Sequence, residues 1–192
     1  MQNLVLASSS QYRQQLLKKL HLDFIACGSH IDERPMPNES AKALALRLSV
    51  AKAKTVAANF PDHLIIGSDQ VAALGQGLLG KPNTPENAFR QLQAQSGQKV
   101  TFYTGLCLLN SATGQYLTDI DICNVYFRKL SDNQIQRYLD IDKPYDCAGS
   151  FKSESYGIVL FDKIEGDDPN ALMGLPLIKL TGLLEQFGRQ MP

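Results

Sequence analysis

Short apolar runs separated by helical periodicity constrain this chain more than any other feature of its sequence. Leu4-Val5-Leu6 and Leu64-Ile65-Ile66 are too brief for helices and read as buried strands, with Phe24-Ile25-Ala26-Cys27 as a third. Between them residues 10–20 read as a helix with Leu16, Leu17 and Leu20 inward. The alanine-rich residues 39–59 read as a second, with Leu44, Leu48, Ala51 and Thr55 on one stripe. Thr84 followed by Pro85 is a helix start, cap and then proline at the first position. Residues 99–110 and 115–130 read as a long hairpin turning near Ala112-Thr113-Gly114. A helix over 131–141, a strand over 157–161 and a closing helix over 176–187 complete the chain. The order β-α-β-α-β-α and then a hairpin predicts an α/β protein with a mixed sheet. With 192 residues and no linker, repeat or low-complexity tract, a single domain over residues 1–192 is expected.

Charge narrows the partners. Nineteen Lys and Arg balance nineteen Asp and Glu, so the basic excess usual for a nucleic-acid or anionic-membrane binder is missing. Any bound anion must be small and met by a few well-placed cations. No run of about 18 apolar residues predicts a membrane span. Cys27, Cys107, Cys123 and Cys147 are far apart and give neither a zinc spacing nor a disulfide framework. The first residues carry no basic, signal-like segment, so a reduced, cytoplasmic enzyme or binding protein is expected.

Four places could carry chemistry. Ser8-Ser9-Ser10-Gln11-Tyr12-Arg13 lies at a strand-to-helix junction, where free N–H groups, serine hydroxyls and a guanidinium suit a phosphate. A cation in a helix's first turn is unfavourable unless an anion compensates it. The plainer reading is a serine cap beside a solvated arginine. Asp69 sits just past the apolar strand, where ligands of open α/β sheets gather, though it could also cap a turn. Asp32-Glu33, on a proline-flanked loop, could join it around one divalent cation or simply be solvated. Lys52 and Lys54 flank the stripe of their helix by roughly 70° and about 90° on opposite sides, so periodicity leaves both open. Lys81 is held in Gly80-Lys81-Pro82, a turn whose lysine is ordinarily solvated. The last place is the small-residue segment 147–155, with Lys152 and Glu154; a flexible surface loop is its plain reading.

Together and in this order, these segments resemble the Maf family of nucleotide pyrophosphatases. The resemblance rests on residues 4–13, Asp32-Glu33, Ala51-Lys52-Ala53, Gly67-Ser68-Asp69 and Gly80-Lys81-Pro82. Thr101-Phe102-Tyr103-Thr104-Gly105 and Gly174-Leu175-Pro176 extend it to about residue 180. It implies an elongated mixed sheet with flanking helices, similar to inosine-triphosphate pyrophosphatases, in two lobes with the active site in the cleft between them. It implies hydrolysis of a nucleoside triphosphate to monophosphate and pyrophosphate with a divalent metal, magnesium or manganese. Asp69 corresponds to the proton acceptor, while Arg13, Glu33, Lys52 and Lys81 correspond to polar catalytic and phosphate-binding residues. The resemblance thereby selects Lys52 over Lys54. Asp69 and Glu33 become the metal ligands, and Ser8, Ser9 and Lys152 further substrate contacts.

Gln11 and Tyr12 stand where the family often has proline and arginine, and Gln70 where it often has threonine. With Glu154, the trio Tyr12, Gln70 and Glu154 resembles the subgroup that hydrolyses 7-methyl-GTP, which often has tryptophan at the position of Tyr12. The chemistry agrees. A guanine made cationic at N7 gains from an aromatic face and from a carboxylate that accepts its N1–H and amino protons. The alternatives are the same chemistry on dTTP or UTP, and a non-catalytic nucleotide-binding regulator of cell division. The expected partner is the triphosphate alone, with neither nucleic acid nor membrane and with room for a homodimer.

Overall fold

In the computed structural model, which describes residues 2–191, the first apolar run is strand β1 (Asn3–Leu6). It is followed by helix α1 (Gln11–Lys18), whose N-cap Ser10 accepts the Arg13 N–H on its hydroxyl oxygen. Strand β2 (Phe24–Ala26) and helix α2 (Ala41–Ala57, capped by Ser40) lead to the long strand β3 (His63–Leu74). β1 pairs in parallel with both, Leu6 lying opposite Ala26 and Ile66. A short strand β4 (Gly77–Leu79) turns back antiparallel on β3. Helix α3 (Pro85–Gln95) starts from Thr84 with proline in its first turn, as its sequence predicts. The hairpin β5 (Lys99–Asn110) and β6 (Tyr116–Phe127) follows. Helix α4 (Asp132–Asp142) has a reciprocal cap between Ser131 and Gln134. Strand β7 (Phe161–Glu165) and helix α5 (Leu177–Gln186) end the chain. The sheet order is β2-β1-β3-β5-β6-β7, with β4 on β3, so the expected mixed α/β architecture is present.

The chain divides into two units; three of the boundaries fall inside β3, β5 and β6, and the fourth follows β7, between Asp167 and Asp168. The first comprises residues up to Gln70, Tyr103–Asp121 and those from Asp168 onward. Strand alternation sorts its core into two layers. Leu4, Leu6, Leu64, Ile66, Leu106 and Leu108 pack on Leu16 and Leu17 of α1 and on the leucines of α5. Val5, Ile65, Cys107 and Leu109 face Ala53 and Val56 of α2. The second unit comprises Val71–Phe102 and Ile122–Asp167. There Phe151 meets Phe102, Phe127 and Phe161 edge to face, with centroids 5.4, 5.6 and 4.8 Å away.

Three expectations are corrected. The strand expected over 157–161 is a 3₁₀ turn, Tyr156–Leu160, and the strand begins where it ends. Asp69 lies within β3 rather than beyond it, yet β3 outruns β1, whose pairing stops at Leu6 opposite Ile66. Asp69 therefore does lie past the carboxyl end of the parallel neighbour. The stripe of α2 is also turned. Its buried residues are Leu44, Ala45, Leu48, Ser49, Lys52, Ala53 and Val56, while Thr55 is exposed. That face is rotated by about 80° from the expected one, which puts Lys52 at its middle and Lys54 on the far side.

Candidate active site

Two glycines explain the turned helix. A Cβ on Gly67 would stand 2.1 Å from the Ser49 carbonyl oxygen, and one on Gly105 would stand 2.3 Å from that of Ala45. The backbone of α2 thus lies directly on β3 and β5, with small residues (Ala45, Ser49, Ala53) at the seam. This close approach carries Lys52 onto Asp69, two residues beyond Gly67. The Lys52 Nζ lies 2.5 Å from Asp69 Oδ1 and 2.7 Å from Glu33 Oε1. The Lys52 and Asp69 side chains are only 8% and 9% exposed, while Glu33 is open to solvent.

Burial pushes the Asp69 carboxyl above its ordinary range, and the negative Glu33 adds to that. Lys52, and then Arg13, pull the other way without cancelling the rise. A carboxylate so placed is more basic than a solvated one, which suits a proton acceptor. Arg13 is partly buried; loss of water lowers its pKa from an ordinary value far above neutrality, opposed by the charges of Asp69 and Glu33. Its Nε donates to the Gly174 carbonyl at 2.7 Å, and its Nη1 lies 3.5 Å from the Ser8 hydroxyl oxygen.

The first unit therefore brings together Arg13, Glu33, Lys52 and Asp69, with Ser8 buried next to Arg13. Ser9, just before the Ser10 cap, is exposed, and Tyr12 is half-buried in the first turn of α1. Asp32 does not join them. It grips Arg34, which holds its carboxyl down at about 2. Gln70 turns its amide nitrogen toward the Thr104 hydroxyl and the carbonyls of Ala171 and Leu172.

The remaining candidates belong to the second unit. Lys81 is exposed in its turn, and Glu154 is exposed beside the Ser153 hydroxyl. Lys152 donates its ammonium to the Asp142 carbonyl at the end of α4. Their segment is less loose than its composition suggests. Ser150 and Phe151 are buried, and Ser150 donates to Gln91.

Sequence reasoning missed the residues that brace this arrangement. Ser68, fully buried, has its hydroxyl 2.9 Å from the Gly174 carbonyl oxygen and 3.0 Å from that of Gly105. Asp168 accepts the Ile178 N–H and so caps α5, which Pro176 cannot do with its own side chain. An aspartate shortly before a helix that lacks a capping residue of its own was the available signal.

A divalent cation fits the donor set. One ammonium already touches an oxygen of Asp69 and one of Glu33, so both carboxylates can reach a common cation. Among the described residues no cluster of three or more His, Cys, Asp or Glu could hold a metal ion. Two carboxylates with the remaining positions left to phosphate and water suit magnesium or manganese, which rarely take an all-protein cage. No helix among the described residues is long and apolar enough to cross a membrane.

Comparison with known proteins adds to the geometry. The family model described as Maf-like protein matches residues 3–187. A 7-methyl-GTP pyrophosphatase of Nitrosococcus oceani is 56% identical over 96% of this chain and 93% of its own. Proteins of the same name from Alcanivorax borkumensis and Colwellia psychrerythraea are 55% and 50% identical. Each of these two covers 98% of this chain, and the matches span 96% and 94% of their own lengths. Among solved structures, the Ham1 protein of Staphylococcus aureus matches 67% of this chain and 73% of its own. At 14% identity and a TM-score of 0.46, that likeness is too slight to argue from.

Proposed function

The chain belongs to the Maf family, and from that premise we propose that it hydrolyses 7-methyl-GTP to 7-methyl-GMP and pyrophosphate. The observation that carries the reading is the buried pairing of Lys52 with Asp69, flanked by Glu33 and Arg13. Binding alone needs no proton acceptor, whereas a hydrolase does, and Asp69, buried against Lys52, is placed to be one.

Asp69 takes the proton of a water that attacks the α-phosphorus; the α–β anhydride bond breaks and pyrophosphate leaves with its electron pair. Arg13 and Lys52 meet the charge that builds on the leaving group, and we assign Lys81 to the same task. A divalent cation held by Asp69 and Glu33 would neutralise phosphate charge and orient the attacked group. Ser8 and Ser9 offer hydroxyl donors beside Arg13. Tyr12, on the same helical turn as Arg13, is assigned to the face of the cationic base, and Glu154 to its N–H edge. Gln70 and Lys152, both bonded to their own chain, are assigned to shaping the base pocket. The reading puts the protein in the cytoplasm, with the nucleotides it acts on.

The test is a panel of triphosphates with magnesium or manganese, the products resolved by chromatography. Monophosphate with pyrophosphate is expected, fastest from 7-methyl-GTP. Diphosphate with orthophosphate, or a preference for UTP or dTTP, would overturn the reading. Glu154→Gln and Tyr12→Ala should each lower the ratio of kcat/KM for 7-methyl-GTP over UTP, by about 5- to 150-fold for Glu154→Gln. An unchanged ratio in both variants removes the base assignment while leaving the phosphate chemistry intact.

A further inference from the structure

Arg13 sits in the first turn of α1, where a cation opposes the helix dipole, so the helix itself does not favour the guanidinium there. Its side chain is long and rotatable, and a phosphate contact depends on which way the guanidinium plane is turned. That plane is set from outside the helix. Nε donates to the Gly174 carbonyl at 2.7 Å, and the same oxygen lies 2.9 Å from the Ser68 hydroxyl. Ser68 immediately precedes Asp69 in β3 and points to the opposite face of the strand, toward α1 and α5. It is wholly buried, and its hydroxyl also lies 3.0 Å from the Gly105 carbonyl on β5. The carbonyl that orients Arg13 is thereby tied to the strand that carries Asp69.

Gly174 is shaped for this. Its φ of +102° lies in the left-handed region that favours glycine. A Cβ there would meet Arg13 Nε at 3.2 Å and Nη2 at 3.4 Å. The segment around it is strapped down as well. The Ala171 carbonyl accepts from Thr104 at 3.0 Å and from Gln70 at 2.9 Å, and Asp168 holds Asn170 and Ile178.

We propose that Ser68 and Gly174 are positioning residues, which fix the Arg13 guanidinium relative to Asp69 for the triphosphate. They touch no substrate and act through Arg13. The inference rests on the proposed hydrolysis, but its test separates the two. Ser68→Ala and Arg13→Ala are made singly and together, and pyrophosphate release from 7-methyl-GTP is measured alongside thermal unfolding. Ser68→Ala should lower kcat/KM by about 10-fold when Arg13 is present and by less than about 2-fold when it is absent, the signature of residues that act as one unit. Equal losses in both backgrounds, or no loss in either, overturn the proposal. If Ser68→Ala does not fold, Gly174→Ala takes its place in the same cycle. Wild-type protein that releases no pyrophosphate from any triphosphate would sink the proposed function instead. The four proteins are then titrated with inorganic pyrophosphate. The same coupling in affinity is expected there, and additive losses again overturn the positioning role.

Discussion

The two units bury different things. Among the described residues, Lys52, Asp69, Asp121 and Asp168 are the buried charged side chains, and all four belong to the first unit. The second unit buries rings, with Phe151 in contact with three other phenylalanines and the Tyr138 hydroxyl accepting the Lys152 N–H. Burying charge costs stability unless it is paired, whereas burying rings supplies stability. A fold that accepts the cost in one unit and avoids it in the other has its chemistry where the cost is. Lys81 and Glu154, the exposed candidates of the second unit, can be exchanged at little cost in stability.

The largest effect that could break this contrast is on turnover. Asp69→Asn should cut pyrophosphate release by at least about 10²- to 10⁴-fold, since the amide keeps the shape but accepts no proton. The protein should still unfold cooperatively, because Lys52 keeps Glu33. A folded variant with near-normal turnover would take Asp69 out of the reaction.

Next in size is the lysine pair. Lys52→Met leaves Asp69 buried without its ammonium and should cost about 3–5 kcal/mol in denaturant unfolding at neutral pH. Lys54→Ala loses only a cation–π contact with the exposed Tyr116, 4.7 Å from the ring centre, and about 0.5–1 kcal/mol. The pH dependence has a definite sign. Removing Lys52 lifts the already raised Asp69 pKa further, so the variant's deficit is full above that pKa and shrinks as pH falls through it. A deficit that grows on acidification would mean that Lys52 does not hold the Asp69 charge.

Phe151→Leu tests the other unit. It removes three edge-to-face pairs worth about 0.5–1.5 kcal/mol each, less the apolar contact that leucine restores, for a net loss of about 1–3 kcal/mol. A loss comparable to that of Lys52→Met would erase the distinction between the units. The smallest expected effect lies in the first unit but near its surface. Arg47, and then the Met36 N–H, hold the Glu39 carboxyl down at about 2. Its contribution is present above the ordinary carboxylate range and is lost as pH falls from there toward 2. Glu39→Gln should therefore unfold more easily than wild type at neutral pH and match it at the acid end. A difference that persists at the acid end would show a packing role instead.

Legibility in the sequence followed the range of the forces. Ser10, Thr84 and Ser131 cap their helices through bonds reaching three residues, and each start could be read locally. β3 could not be followed past Ile66, because Gly67 and Asp69 are poor strand residues and only their neighbours keep them extended. The face of α2 was misjudged because leucines were followed, whereas the decisive residues were small. Ala45, Ser49 and Ala53 meet glycines on strands that lie far along the chain. The run 157–161 looked like a strand by its aliphatic content, yet the charged Phe161-Asp162-Lys163-Ile164-Glu165 supplies it. Of the site, Asp69 and Arg13 stood out by position and type. Ser68 and Gly174 stood only as members of short motifs, and their bracing role did not show, since a hydroxyl shared between two distant carbonyls leaves no pattern in one chain.

At Gly67 and Gly105 two stretches of main chain rest on each other with no side chain between them. The span from sheet to helix is thus a dimension made of atoms that every amino acid shares. Side-chain volumes elsewhere in the core can drift over generations without altering it. Lys52 hangs from that fixed span with an ammonium at one definite reach, so its distance to Asp69 is insulated from such drift. The same rigidity limits redesign, because a longer or shorter cation at this position finds no slack in the helix to take up the difference.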